Sequence, residues 1–258
     1  MTSCTDYTEE YAECYELITQ HKGYRIEVDA LISFLASFNL DKRILSVGCG
    51  IGLHERYLAK YGYKVFGIDQ SAGMINYALS KSDKNPNLDF GLSYNSAEQS
   101  IGLPVGFVIS LFNVVNCLPD IASLRSFFEE IHSKMVPGGL FFFEAWNGVE
   151  CMINPPQTVV RDFEDTNGNF LNRVARPMLY PSTQHLQIEY DIIGKMHQRL
   201  VAINSVHNIM LYTINEIKFL LSSVGFQSVN VYSSLPGLEP FDFDSTNPPR
   251  MLAFSALA

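Results

Sequence analysis

The sequence is short of the features that mark metal-binding, membrane and nucleic-acid proteins. Its five cysteines, Cys4, Cys14, Cys49, Cys117 and Cys151, form no CxxC pair and make an odd set. That spacing suits neither a zinc site nor a disulfide framework, so no metal ligand is expected. Positive charge is scarce as well: 18 Lys and Arg stand against 27 Asp and Glu, for a net charge of −9, and no basic cluster is available to neutralise a row of phosphates. Nucleic acid is therefore not an expected partner. The longest charge-free apolar stretch, residues 101–119, is broken by Gly102, Pro104, Gly106, Ser110, Asn113 and Asn116, which describes a buried strand and its loop instead of a membrane span. The first ten residues have neither the basic start nor the apolar run of a secretory leader, so the expected location is cytoplasmic. No internal repeat or low-complexity tract interrupts the chain.

What is present is an ordinary globular composition, 258 residues with 47% hydrophobic and 17% charged. Residues 1–40 read as two helices, Tyr7 to Gln20 and Tyr24 to Phe38, the second with Ile26, Ala30, Leu31, Phe34, Leu35 and Phe38 at helical spacing. From there to residue 148 strands and helices alternate, with strands at Arg43, Lys64, Leu88, Phe107 and Leu140, and a parallel sheet covered on both faces is the expected product. Residues 149–212 change texture: β-branched and aromatic residues with turn signals at Thr166-Asn-Gly168 and Tyr180-Pro-Ser182 predict three or four antiparallel strands, read as an insertion. Residues 213–258 return to a helix ending at Gly225 and two last strands that complete the core sheet.

Chemistry concentrates at the first turn. A strand ending in Gly48-Cys49-Gly50-Ile51-Gly52 and passing straight into a helix leaves backbone N–H groups facing a cavity that a ligand can approach closely. Asp69, at the end of the next strand, is placed to accept hydrogen bonds from ribose hydroxyls. Leu53 stands where a dinucleotide fingerprint needs its third glycine, which disfavours a pyrophosphate ligand.

On these residues the chain resembles the class I S-adenosylmethionine-dependent methyltransferases. Ile44-Leu-Ser-Val-Gly-Cys-Gly-Ile-Gly52 matches the glycine motif, Asp69-Gln-Ser-Ala-Gly-Met74 the ribose-binding turn, and Met135-Val-Pro-Gly-Gly-Leu-Phe-Phe-Phe-Glu144 the late strand segment. Val108 to Asn113 and Glu144 to Gly148 are most similar to the small-molecule and sugar-amine N-methyltransferases. The resemblance implies an α/β, Rossmann-like, seven-stranded and mostly parallel sheet, with an N-terminal helical lid and the inserted antiparallel strands shaping either the acceptor pocket or a homodimer contact. It implies S-adenosyl-L-methionine as cofactor, with its methionine part along Gly48, Cys49, Gly50, Leu111 and Tyr24, its ribose on Asp69, and its adenine against Gln70, Met74, Asn95, Ser96 and Ala97.

The acceptor is expected to be a small molecule offering nitrogen or oxygen. Tyr15, His207 and Glu144 are the candidates for receiving a proton or orienting a lone pair, and Asn113 and Trp146 for lining the acceptor pocket. Transfer needs alignment and exclusion of water, with no metal or covalent nucleophile. Ser46 departs from the resemblance, because many relatives carry an acid two positions before the first glycine, and how the cofactor's amino group is held is left open. Two other readings stand beside this one: a nicotinamide-dependent oxidoreductase, disfavoured by Leu53, and a partner subunit that kept the fold and lost the activity, for which Ser46 is the sole hint.

Overall fold

The computed structural model describes residues 7–82 and 85–258. Cys4 lies outside them; Cys14, Cys49 and Cys151 are free thiols.

Two helices open the chain. Helix α1 (Glu9–Thr19) starts where the Thr8 hydroxyl accepts the Tyr11 N–H at 3.2 Å, with Glu9 and Glu10 favourably placed in the first turn. Helix α2 (Tyr24–Leu35) buries Val28, Leu31 and Leu35. Then come β1 (Arg43–Val47), α3 (Leu53–Lys60), β2 (Lys64–Ile68), α4 (Ala72–Ser80) capped by Ser71, β3 (Leu88–Gly91), α5 (Tyr94–Ile101), β4 (Val105–Ser110), α6 (Ile121–Ser133) capped by Asp120, and β5 (Met135–Trp146). A short α7 (Gly148–Ile153) leads to β6 (Val159–Glu164), β7 (Phe170–Tyr180), β8 (His185–Met196) and β9 (Arg199–Met210). Helix α8 (Ile214–Ser223) opens with a reciprocal Thr213 and Glu216 capping box, and β10 (Gln227–Tyr232) and β11 (Met251–Leu257) close the fold.

The first sheet has seven strands in the order β10-β11-β5-β4-β1-β2-β3. Strands β3, β2, β1, β4 and β5 pair in parallel, and β11 alone runs against its neighbours. Helices α2, α3 and α4 cover one face through Leu31, Leu58 and Ala78; α5, α6 and α8 cover the other through Ala97, Phe128 and Leu221. Strand alternation delivers both faces: Ile44 meets the first set of helices and Leu45 the second. Phe143 stacks on Phe254 at 4.9 Å across β5 and β11 and on Phe141 at 4.7 Å, giving the second face an aromatic floor.

Strands β6 to β9 form a separate antiparallel sheet of four. Its inner face is held twice: Phe163, Leu171, Ile192 and Val201 pack with Tyr11, Leu17, Ile51 and Met74, and Leu186, Ile188 and Ile209 pack with Trp146 and Cys151. Helix α1 is thereby clamped between this sheet and α4, above the C-terminal ends of the parallel strands.

Three local expectations are corrected. Asn95, Ser96 and Ala97, expected from the resemblance to meet the adenine, lie in the first turn of α5 and not in an open loop, because the Ser93 hydroxyl caps the Ser96 N–H. The last parallel strand starts five residues earlier than Leu140, its Pro137-Gly138-Gly139 segment included. Helix α7, capped by Asn147, was not anticipated; six residues are too few to show a period.

Candidate active site

The glycine turn after β1 has positive φ at Gly48 (+76°), Gly50 (+55°) and Gly52 (+73°). The three differ in what surrounds them. A Cβ on Gly48 would lie 2.4 Å from Val114 Cγ2 and one on Gly52 2.3 Å from Phe90 Cζ, whereas one on Gly50 would meet nothing within 4 Å. Packing fixes the two ends of the turn, and the middle glycine faces open space, as a cradle for a ligand requires. Asp69 braces it: Oδ2 accepts the Gly50 N–H and Oδ1 the Ser71 N–H, each at 2.9 Å. Burial raises the Asp69 pKa, opposed by these backbone donors. Each oxygen keeps lone-pair capacity for a vicinal diol.

Behind the turn, Ser46 donates to Glu55 Oε1 at 2.5 Å, and both side chains are buried. Glu55 Oε2 has no hydrogen-bond partner among the described residues. Alongside, Lys22 pairs with Glu27, which also takes a 2.8 Å contact from His54 Nε2. The Lys22 ammonium stands 4.8 Å from the Tyr24 ring centre and 5.0 Å from that of Phe112, and burial pushes the Tyr24 hydroxyl up to about 12.

At the ends of β4 and β5, Phe112 and Asn113 take successive left-handed conformations, φ +65° and +67°. Two such residues in a row are strained and need outside support. Glu144 gives it, its Oε2 accepting the Phe112 N–H at 3.0 Å from a side chain 4% exposed. Burial raises the Glu144 pKa and nearby Lys22 lowers it. Glu144 Oε1 makes no hydrogen bond with the described residues. Asn113 Oδ1 is likewise buried without a partner.

The roof is aromatic. Tyr15 is edge-on to Phe112 (6.4 Å) and followed by Tyr11 (6.0 Å), and burial drives its pKa well above 10. His207, on the inner face of β9, contacts the rings of Tyr7 (5.3 Å) and Tyr190 (4.8 Å), and its nitrogens lie 3.3 Å from the Tyr7 hydroxyl and 3.4 Å from that of Ser205. Burial, then Arg173, lowers its pKa to about 4, so it is neutral at pH 7. Between α1 and β9 lies a cavity of about 250 Å³ lined by Tyr7, Tyr11 and Ser205.

Of the residues named from sequence, Gly48, Cys49, Gly50, Asp69, Tyr24, Leu111, Asn113, Tyr15 and Glu144 converge on this end of the sheet. Cys49 packs under the turn, its thiol pushed well up by burial. Gln70 and Asn95 are exposed at the rim, and Ser96 is half-buried. Met74 and Ala97 turn their side chains into the cores, Met74 against α1 and Ala97 beneath β4, which leaves Ala97 only its backbone to offer. Trp146 is wedged against Cys151 and Leu186, and its backbone N–H donates to Asn116 Oδ1 at 2.9 Å. Glu55, Glu27, His54 and Phe112 were not foreseen. Glu55 had a signal: it shares the i, i+3, i+4 face with Leu58 and Ala59, so a carboxylate was bound to be buried.

The methyltransferase domain family matches residues 20–229. The chain is 25% identical over 224 residues, 85% of each sequence, to dTDP-3-amino-3,6-dideoxy-alpha-D-glucopyranose N,N-dimethyltransferase of Streptomyces fradiae. Its fold is similar to that of DesVI of Streptomyces venezuelae (TM-score 0.76, 18% identity, 95% and 97% of the two chains). It is also similar to CalS10, an amino pentose methyltransferase from Micromonospora echinaspora determined with S-adenosylmethionine bound (TM-score 0.69, 20% identity, 95% and 96%). The open middle of the glycine turn and the diol-ready Asp69 carboxylate suit that cofactor, and the chain belongs to the methyltransferase domain family as an S-adenosylmethionine-dependent enzyme.

Proposed function

We propose that the protein methylates the amine nitrogen of a small molecule of the aminosugar class. The observation that carries this reading is the pair of acceptors at the ends of β4 and β5: the spare oxygen of Glu144 and the unpartnered Asn113 Oδ1, under the Tyr15 and Phe112 rings. Such acceptors suit an N–H-bearing, cationic ligand, and the surplus of acidic residues attracts one. The relative that matches over 85% of its length acts, by its name, on an amino-dideoxyglucose nucleotide.

When bound, S-adenosylmethionine supplies a methyl group on a sulfonium sulfur, and everything else falls to the chain. Gly48, Cys49 and Gly50 hold the methionine part with Leu111 and Tyr24, Asp69 takes the ribose hydroxyls, and Gln70, Asn95 and Ser96 meet the adenine at the rim. Asn113 Oδ1 accepts one amine N–H and so fixes the direction of the lone pair. Glu144 Oε1 receives the proton that the amine sheds, a role matched to its raised pKa. Tyr15, held protonated, donates a hydrogen bond and closes the roof against water, which lets positioning contribute several of the roughly 7–11 kcal/mol available from alignment. His207, neutral and ringed by tyrosines, is a wall of the acceptor pocket and not its base. Trp146 stiffens that wall from behind. The exposed outer face of the second sheet is the surface for a second copy, and the free thiols of Cys14, Cys49 and Cys151 suit the reducing cytosol.

A panel of nucleotide-linked and free aminosugars, each beside its N-acetyl and hydroxyl counterpart, tests the reading by methyl transfer. Turnover is expected with the free amines and none with the N-acetyl forms, whose nitrogen has no basic lone pair. Transfer to the hydroxyl counterparts alone would overturn it.

A further inference from the structure

The cofactor's amino-acid end carries an α-ammonium, and a cation enclosed by protein needs a counter-charge. Ser46, on the strand leading to the turn, is neutral. What stands behind it is Glu55, 2% exposed, held through Oε1 by the Ser46 hydroxyl and with Oε2 unpartnered. The cations nearby are engaged elsewhere: Lys22 and His54 with Glu27, and Arg56 with Glu16. Burial raises the Glu55 pKa, opposed by the charges of His54 and Arg56, neither of which pairs with it among the described residues, and a cation beside its spare oxygen would complete an ion pair. Glu55 stands in the first turn of α3, three residues past Gly52, and its bond to Ser46, two residues before Gly48, spans the base of the glycine turn.

We infer that Glu55 supplies, from α3, the counter-charge for the cofactor's α-ammonium, with the Ser46 hydroxyl holding it in place. The acid has moved from the strand to the helix that faces it, and Ser46 is the hinge of that exchange. The inference rests on the assignment of S-adenosylmethionine as cofactor. It also removes the one sequence feature that favoured an inactive partner subunit, since the missing strand acid has a replacement.

Calorimetric binding of S-adenosylhomocysteine and of its deaminated analogue, the same thioether without the amino group, tests this on the full chain. Glu55→Gln is expected to weaken S-adenosylhomocysteine tenfold or more and the deaminated analogue less than threefold. Ser46→Asp combined with Glu55→Gln, which returns the acid to the strand, is expected to recover most of the loss. Should Glu55→Gln fail to fold by thermal melting, Glu55→Asp withdraws the charge by one methylene, and the same selective loss is expected. Equal losses for the two ligands, or no loss, overturn the inference while leaving the cofactor assignment intact. Failure of the wild-type chain to bind either ligand refutes the assignment itself, and the inference with it.

Discussion

The Glu144 carboxylate accepts the backbone N–H of Phe112 at 3.0 Å, tying the end of β5 to the strained residue that follows β4. One oxygen does structural work and the other makes no hydrogen bond with the described residues, as the proposed role of base requires. Glu144→Gln keeps a carbonyl to receive that N–H while losing the ability to take a proton. Its kcat is expected to fall by about a hundredfold or more, within the range of a lost general base, with S-adenosylhomocysteine binding unchanged. Burial raises the Glu144 pKa, so the wild-type rate falls as pH drops through that raised value, and the variant loses this limb. A pH–rate profile of both proteins checks it; an unaltered limb in the variant assigns the proton to another group.

Gly50 and Gly52 share a left-handed backbone and differ in surroundings, which separates binding from stability. Gly52→Ala drives a methyl into the Phe90 ring and is expected to cost about 2–5 kcal/mol of stability, from backbone strain and overpacking together. Gly50→Ala incurs the strain alone, about 1–2 kcal/mol, but its methyl stands in the open cradle and is expected to weaken S-adenosylhomocysteine severalfold or more. Urea unfolding and calorimetry on the two variants read these in opposite order.

His207 links stability to acidity. Its pKa is about 4 in the folded chain against an ordinary 6.5, so between those values the unfolded chain takes up a proton that the folded chain refuses. Stability from this group is complete above 6.5 and drains away as pH falls toward 4, by about 3 kcal/mol in all. Urea unfolding at pH 7 and pH 4.5 is expected to show a larger acid loss for wild type than for His207→Gln; equal losses would mean that His207 is hydrated in solution.

The glycine turn and its brace at Asp69 were legible because they are written in neighbouring residues. The glycines, Asp69 and Ser71 sit within one strand–helix–strand unit, where backbone conformation and capping dictate the residue types. The proposed acceptor side draws on α1, the ends of β4 and β5, and β9, and no local pattern reports that His207 meets Tyr7 two hundred residues away. Sequence could nominate His207 as a base, but only its enclosure by Tyr7, Tyr190 and Arg173 shows how far its basicity is suppressed. Met74 and Ala97 illustrate a subtler limit: motif register located their backbones, and helix phase sent both side chains into the cores.

The clamp of α1 between the second sheet and α4 has an evolutionary reading. Ile51, inside the glycine turn, and Met74, on α4, share one cluster with Tyr11 and Leu17 of α1 and with Ile192 and Val201 on the inner faces of β8 and β9. A change at Ile192 or Val201 is therefore felt at the turn itself, whereas Leu186, Ile188 and Ile209, which pack with Trp146 and Cys151, belong to a separate cluster. Exchange of segments between relatives would accordingly have to carry α1 together with β8 and β9, so that the packed faces travel as a unit.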